Sequence, residues 1–186
     1  MGYDMKQKGF VLFVSLIFLV LMTMLGIAMF SGFITNQMIA GNLREKTRAY
    51  DAAQAAIDYT RFWLAQPGHA LTSAGTPAAT TVCAGTVTAI NSPTPLCSDA
   101  LATPTSLPWT TGVNYNPGTQ MTISASGVNT YTVNPTFYVQ YLGAAQSTGG
   151  YLFQVTTAGQ GGNTDSVAVL QSVFQVTGTT NSLTGP

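Results

Sequence analysis

The stretch FVLFVSLIFLVLMTMLGIAMFSGFI, Phe10–Ile34, decides the fold. It contains no Asp, Glu, Lys or Arg, and the charge-free run continues to Leu43. At about 1.5 Å of rise per residue the stretch makes a helix of ~38 Å, enough to cross a hydrocarbon core of ~30 Å. A short polar leader, Met-Gly-Tyr-Asp-Met-Lys-Gln-Lys-Gly, precedes it. A secretory signal would place a shorter apolar region before an Ala-x-Ala-like exit. Here the polar boundary lies ahead of the apolar run, so a cut there leaves the greasy helix on the mature chain.

Composition limits the rest of the chain. The 186 residues allow one membrane helix and one modest outer domain. Ten of the twelve charged residues lie at or before Arg61, and only Asp99 and Asp165 come later. An outer domain without Lys or Arg argues against nucleic acid as a partner, because phosphate contacts need clustered bases. Cys83 and Cys97 stand 14 positions apart in a Pro-, Thr- and Ser-rich stretch. In an oxidising compartment they favour a disulfide, with two free thiols as the alternative. Two cysteines and a distant His69 are a poor metal set. Lys6 and Lys8 before the helix nearly balance Arg44, Lys46 and Arg48 after it. The cysteine pair and the uncharged distal region favour export of the C-terminal side.

The helical pattern continues past the membrane length. Leu43, Tyr50, Ile57 and Leu64 recur every seven residues, with Ile39 and Ala53 on the same side. Arg44, Arg48, Asp51 and Asp58 fall largely on another side, and Asp58 can pair with Arg61. The Ala-rich AYDAAQAAIDY favours helix, and Pro67-Gly68 ends it, giving one helix of roughly 55 residues. Residues 67–118 read as loop. From 119 the period becomes two: Met121, Ile123 and Ala125; Phe137, Val139 and Tyr141; Tyr151, Phe153 and Val155; then Ala168, Leu170, Phe174 and Val176. Glycines at 149–150 and 159–162 suit tight antiparallel connections. The expected fold class is α+β: a long N-terminal helix packed on a small antiparallel β-sheet. The expected divisions are 1–9 leader, 10–34 membrane half of the helix, 35–66 amphipathic half, 67–118 loop-rich region and 119–186 sheet region.

A Lys-Gln-Lys-Gly leader, Phe next, a greasy helix and a β-rich end together resemble a type IV prepilin. MIAGNLREKTRAYDAAQAAI (38–57) resembles the MAGNLR…A…AAEAAL stretch of PilX-type minor pilins, and GQGGNTDSVAVLQSVF (159–174) resembles the family's final hairpin. The resemblance covers roughly 5–66 and 150–176; the middle has no counterpart by this reading. It implies that Gly9 ends the leader. A membrane-embedded aspartyl prepilin peptidase would then cut before Phe10 and methylate the new amine. Met5 is an alternative start to Met1, and an uncleaved signal anchor is the plainer reading of the same segment. Major pilins carry a Glu at the fifth residue after the cut, which pairs with the terminal amine of the subunit ahead; this chain has Val14. A lone carboxylate in hydrocarbon costs ~2.5–3.5 kcal/mol or more, so a subunit with nothing ahead of it gains nothing from the acid.

The implied function is a minor pilin that helps initiate a type IV pilus at or near its tip. Its implied partners are other minor pilins, the major pilin, the prepilin peptidase, the inner-membrane assembly platform and membrane lipid. Its implied place is the bacterial inner membrane, single pass with the C-terminal side periplasmic, and after assembly the pilus surface. Two rivals remain. A K-type pseudopilin of type II secretion also lacks the Glu, but 67–118 is short and helix-poor for that family's inserted domain. A tip adhesin could use the Cys83–Cys97 loop with an exposed Trp109 and Tyr115. No nucleophile–base spacing points to an enzyme, and no cofactor or metal is expected. Ala28 and Gly32 form a small-xxx-small pair open to helix packing, and Gly26 with Gly32 offers a place for the helix to loosen. Asn163, Thr164 and Asp165 read as an Asx turn ahead of a Ca²⁺ site. His69 reads as an exposed loop residue.

Overall fold

The computed structural model describes residues 8–83, 87–88, 94–109, 111–124, 130–146, 149–177 and 182–184. The leader up to Gln7, and Ala125 of the expected first strand, lie outside the described residues. The chain divides into two compact units, Met1–Leu43 and Arg44–Pro186. One helix, α1 (Lys8–Ala65), begins in the first and continues into the second.

In the first unit α1 is helical throughout and its side chains are almost all exposed. The few hydroxyls in it turn back on the backbone. Ser15 donates to Leu12 O at 2.9 Å and Thr23 to Val20 O at 2.8 Å. Ser31 reaches Ile27 O, and Thr35 reaches Ser31 O, both at 3.0 Å. Each hydroxyl is thus satisfied inside the helix, as an apolar surrounding requires.

In the second unit α1 packs on a mixed sheet. The strands are β1 (Thr80–Thr81), β2 (Val87–Thr88), β3 (Leu96–Cys97), β4 (Gly112–Asn114), β5 (Thr136–Ala144), β6 (Tyr151–Gln160), β7 (Val167–Thr177) and β8 (Ser182–Thr184). The order along the sheet is β1-β3-β5-β6-β7-β8, with β4 also pairing β5 and β2 pairing β4. The antiparallel part from β5 to β7 matches the period-two pattern, and β8 adds a further antiparallel strand beside β7. The edge differs: β1–β3, β3–β5 and β2–β4 are parallel. These pieces arise inside 67–118, the stretch that reads as loop. At two or three residues each they are too short to carry a period, and tertiary pairing alone defines them. The expected strand around Met121 and Ile123 reduces to a 3-10 turn, Gly118–Gln120, and one bridge from Ile123 to Tyr131.

The helix face that meets the sheet is Ala49, Ala52, Ala53, Ala56, Ile57, Thr60 and Leu64, all buried. The seven-residue stripe is therefore only partly the packing face. Ile57 and Leu64 are buried, whereas Tyr50 is 50% exposed, Leu43 66% and Ile39 60%. A straight α-helix drifts ~20° per seven residues, so a heptad stripe slides off the contact line within three repeats. The alanines let β6 come very close. A Cβ on Gly159 would run into Ala49 O and Ala53 N and lie 2.9 Å from the Ala52 methyl. Thr157 Oγ1 donates to Ala53 O at 3.0 Å across the same seam.

Phe137, Val139, Phe153, Val155, Phe174 and Val176 complete the inner core with Ile57 and Leu64. The opposite sheet face carries a second cluster, Cys83, Cys97, Trp109, Tyr138 and Ala158. The helix stops at Ala65, and Gly68 takes φ +84°. His69 is half-buried rather than exposed. Its ring stacks on Trp63 at 4.7 Å between centroids, and its Nδ1 lies 2.9 Å from Trp63 O, a last-turn carbonyl that also accepts from Gln66 N at 3.1 Å.

Candidate assembly site

The apolar segment is the first half of the site. Phe10 is 68% exposed and Val14 45%, and with Val11, Ser15, Phe18 and Met22 they line one shallow apolar groove. Mean hydropathy there reaches 2.8, and the helix is long and apolar enough to cross a membrane. The Gly9–Phe10 bond lies within α1, one residue after its start at Lys8. Ala28 and Gly32 sit four residues apart on the helix, with open space where a Gly32 Cβ would stand. The space above Gly26 is open as well.

A polar latch ties α1 to the β6–β7 turn. Glu45 Oε2 accepts the Gly162 N–H at 2.5 Å while Oε1 meets Arg48 Nη1 at 2.9 Å. The Gly162 N–H, and after it Arg48, hold the Glu45 carboxyl below its ordinary value, with burial working against them. Arg48 also lies over the Tyr131 ring, 5.1 Å from its centroid. Thr132 then donates twice to Gly161 O, from N at 2.9 Å and Oγ1 at 3.0 Å. Lys46 Nζ donates to Val167 O at 2.7 Å. Ser166 N donates to Asn163 Oδ1 at 2.7 Å, so this turn is the expected Asx turn. Sequence reasoning placed Arg48 only on the polar side of the helix and left Glu45 unread. The i, i+3 spacing of Glu45 and Arg48 beside a Gly-Gly turn was the available signal.

Residues 8–58 match the family model described as PilX N-terminal, and residues 73–176 match that described as type IV pilus assembly protein PilX C-term. The chain belongs to the PilX family. It is a type IV pilus minor pilin, with the α+β pilin architecture of a long apolar helix on a sheet. No curated protein and no solved structure matches it. The C-terminal match begins at residue 73 and so takes in the middle region for which the resemblance offered no counterpart.

In this PilX-family chain Cys83 and Cys97 form a disulfide, with Cα atoms 5.4 Å apart. It clamps the segment carrying β1 and β3 over Tyr138. Asp99 reinforces the clamp: its Oδ1 accepts the Cys83 N–H and its carbonyl the Tyr138 hydroxyl, both at 2.7 Å. Burial, helped by Asp99, pushes the Tyr138 phenol up to about 12. The aromatic pair expected to be exposed beside this loop is not. Trp109 is 8% exposed and donates Nε1–H to Pro104 O at 2.9 Å; Tyr115 is half-buried and stacks on Tyr59 at 4.6 Å. Asp58 takes a 3.4 Å contact from Gln54 Nε2 instead of the expected Arg61. Among the described residues no group of three or more His, Cys, Asp or Glu could hold a metal ion.

Proposed function

We propose that this minor pilin helps initiate the type IV pilus and sits at or near its tip, acting by helix-mediated polymerisation contacts. The observation that carries the reading is Val14: the apolar helix has no carboxylate from Phe10 to Leu43, yet its N-terminus stays available. Once the leader is cut after Gly9, the Phe10 amine can neutralise a Glu brought by the next subunit to arrive. The chain has no acid of its own to offer to a subunit ahead, and a tip subunit needs none. Ala28 and Gly32 supply a notch for a neighbouring helix, and Leu43 and Tyr50, 66% and 50% exposed, are offered as further contact residues.

Before assembly the protein spans the inner membrane with its C-terminal unit periplasmic and its leader on the cytoplasmic side, and the prepilin peptidase and the assembly platform act on it at that membrane. Afterwards it contacts other minor pilins and the major pilin at the pilus surface. The K-type alternative finds less support, since the described part of 67–118 contains short strands rather than an inserted helical domain. The adhesin alternative loses its exposed aromatics, because Trp109 is buried.

Mass spectrometry of the mature protein, with gold labelling of sheared pili, tests the proposal. The expected results are an N-methylated Phe10 terminus and label confined to filament ends. A retained leader, or label spread evenly along pili, overturns it. Val14→Glu is expected to shift label from the ends into the shaft.

A further inference from the structure

On the sheet face turned away from α1 there is a cavity of about 490 Å³ beside the disulfide-clamped loop. That is within the ~300–1,000 Å³ range of small-ligand sites. The sheet builds it. Thr136 and Ala158 are direct partners across β5 and β6. Asn134, two residues before β5, and Gln160, the last residue of β6, stand with them around the opening. All four residues line the cavity, and Asn114 joins them from β4. Leu107, Trp109 and Ile123 form the apolar wall. The indole Nε1–H is already committed to Pro104 O, so Trp109 offers hydrocarbon only.

The amide oxygens of Asn134 and Gln160 are buried without a hydrogen-bond partner. Side-chain oxygens are seldom left so, and an orphaned pair on two residues that line one cavity calls for an explanation. The terminal torsion of a carboxamide is broad and two-fold, so a half-turn exchanges oxygen for nitrogen, and each group can present donor or acceptor.

We infer that this cavity binds a neutral sugar residue. No charged side chain is among its lining residues, so an anionic or cationic ligand would lose its hydration without a counter-charge. A purely apolar ligand would leave the Asn134 and Gln160 carboxamides unpaired. An extended peptide has no strand edge to join here, because β4 already pairs β2 and β5, and β6 pairs β5 and β7. A pyranose matches the walls: its hydroxyls both donate to and accept from the carboxamides, and its C–H face suits the Leu107–Trp109–Ile123 side. This site is independent of where in the filament the subunit stands.

The test is saturation-transfer NMR on the full chain, in a detergent without a sugar headgroup, with the methyl glycosides of glucose, galactose, mannose and N-acetylglucosamine. The expected result is saturable binding of at least one, weakened about tenfold in Asn134→Leu and in Gln160→Leu. Asn114→Ala, followed alongside thermal unfolding, keeps the test open where either leucine variant fails to fold. Absence of saturable binding by all four, a response confined to sialylated or sulfated glycosides or to a neutral peptide, or unchanged affinity in the folded variants overturns the inference.

Discussion

Replacing Glu45 by Ala removes the group that answers both the Gly162 N–H and Arg48 Nη1 in the latch. A hydrogen bond to a charged group contributes ~1.5–3 kcal/mol. The Glu45 side chain is 21% exposed and Arg48 12%, so water recovers part of the loss, and we expect Glu45→Ala to cost ~2 kcal/mol. For a unit the size of Arg44–Pro186 that is a Tm lower by ~4–8 °C. Glu45→Gln keeps an acceptor for Gly162 but not the charge, and should cost ~1 kcal/mol.

The two variants separate in their pH dependence. A carboxyl whose folded pKa is depressed contributes fully above its unfolded value, near 4.5. As pH falls below that, the unfolded chain takes up the proton first, and the contribution is lost through the lower folded pKa. The wild-type advantage over Glu45→Gln should thus be constant above about pH 5 and shrink progressively as pH falls below 4.5. Near-UV circular dichroism melts of the full chain in micelles measure both. A Tm for Glu45→Ala within ~1 °C of wild type would refute the latch, and so would a gap to Glu45→Gln that does not change with pH.

Gly159→Ala places a methyl against the backbone of Ala49 and Ala53, which cannot rotate away, so we expect a loss of ~3 kcal/mol and poor accumulation of folded protein in cells. The paired change Cys83→Ser with Cys97→Ser opens a loop of 14 residues and should cost ~3 kcal/mol; reduction of the wild type should lower the denaturation midpoint alike, and Glu45→Gln should retain that redox sensitivity. His69→Ala removes the Trp63 stack and the bond to Trp63 O, and chemical denaturation should read a loss of ~1 kcal/mol.

The glycines at 159–162 read correctly as a turn signal, yet only part of their meaning was local. Gly161 and Gly162 do connect β6 to β7, but Gly159 lies inside β6 and is glycine because the helix backbone occupies the place of its side chain. Similarly Phe137 and Tyr138 alternate faces as period two requires. That both would be buried depended on the disulfide loop folding over the second face. Trp109 looks exposed in the sequence for the same reason: Pro, Ser and Thr around it resemble open loop, whereas the fold packs it with Leu107 and Tyr138 in the second cluster.

Charge and hydropathy by themselves determined the membrane-length helix, its continuation to a Pro-Gly stop, and the hairpins of β5, β6 and β7, because these arise from repeats carried by neighbouring residues. Tertiary structure alone decided which helix face meets the sheet, the parallel edge strands, the Glu45–Gly162 latch and the Asn134–Gln160 cavity. Each of these joins residues far apart in the chain. A helical period fixes an angle only to within its drift, and a two-residue strand has no period to read.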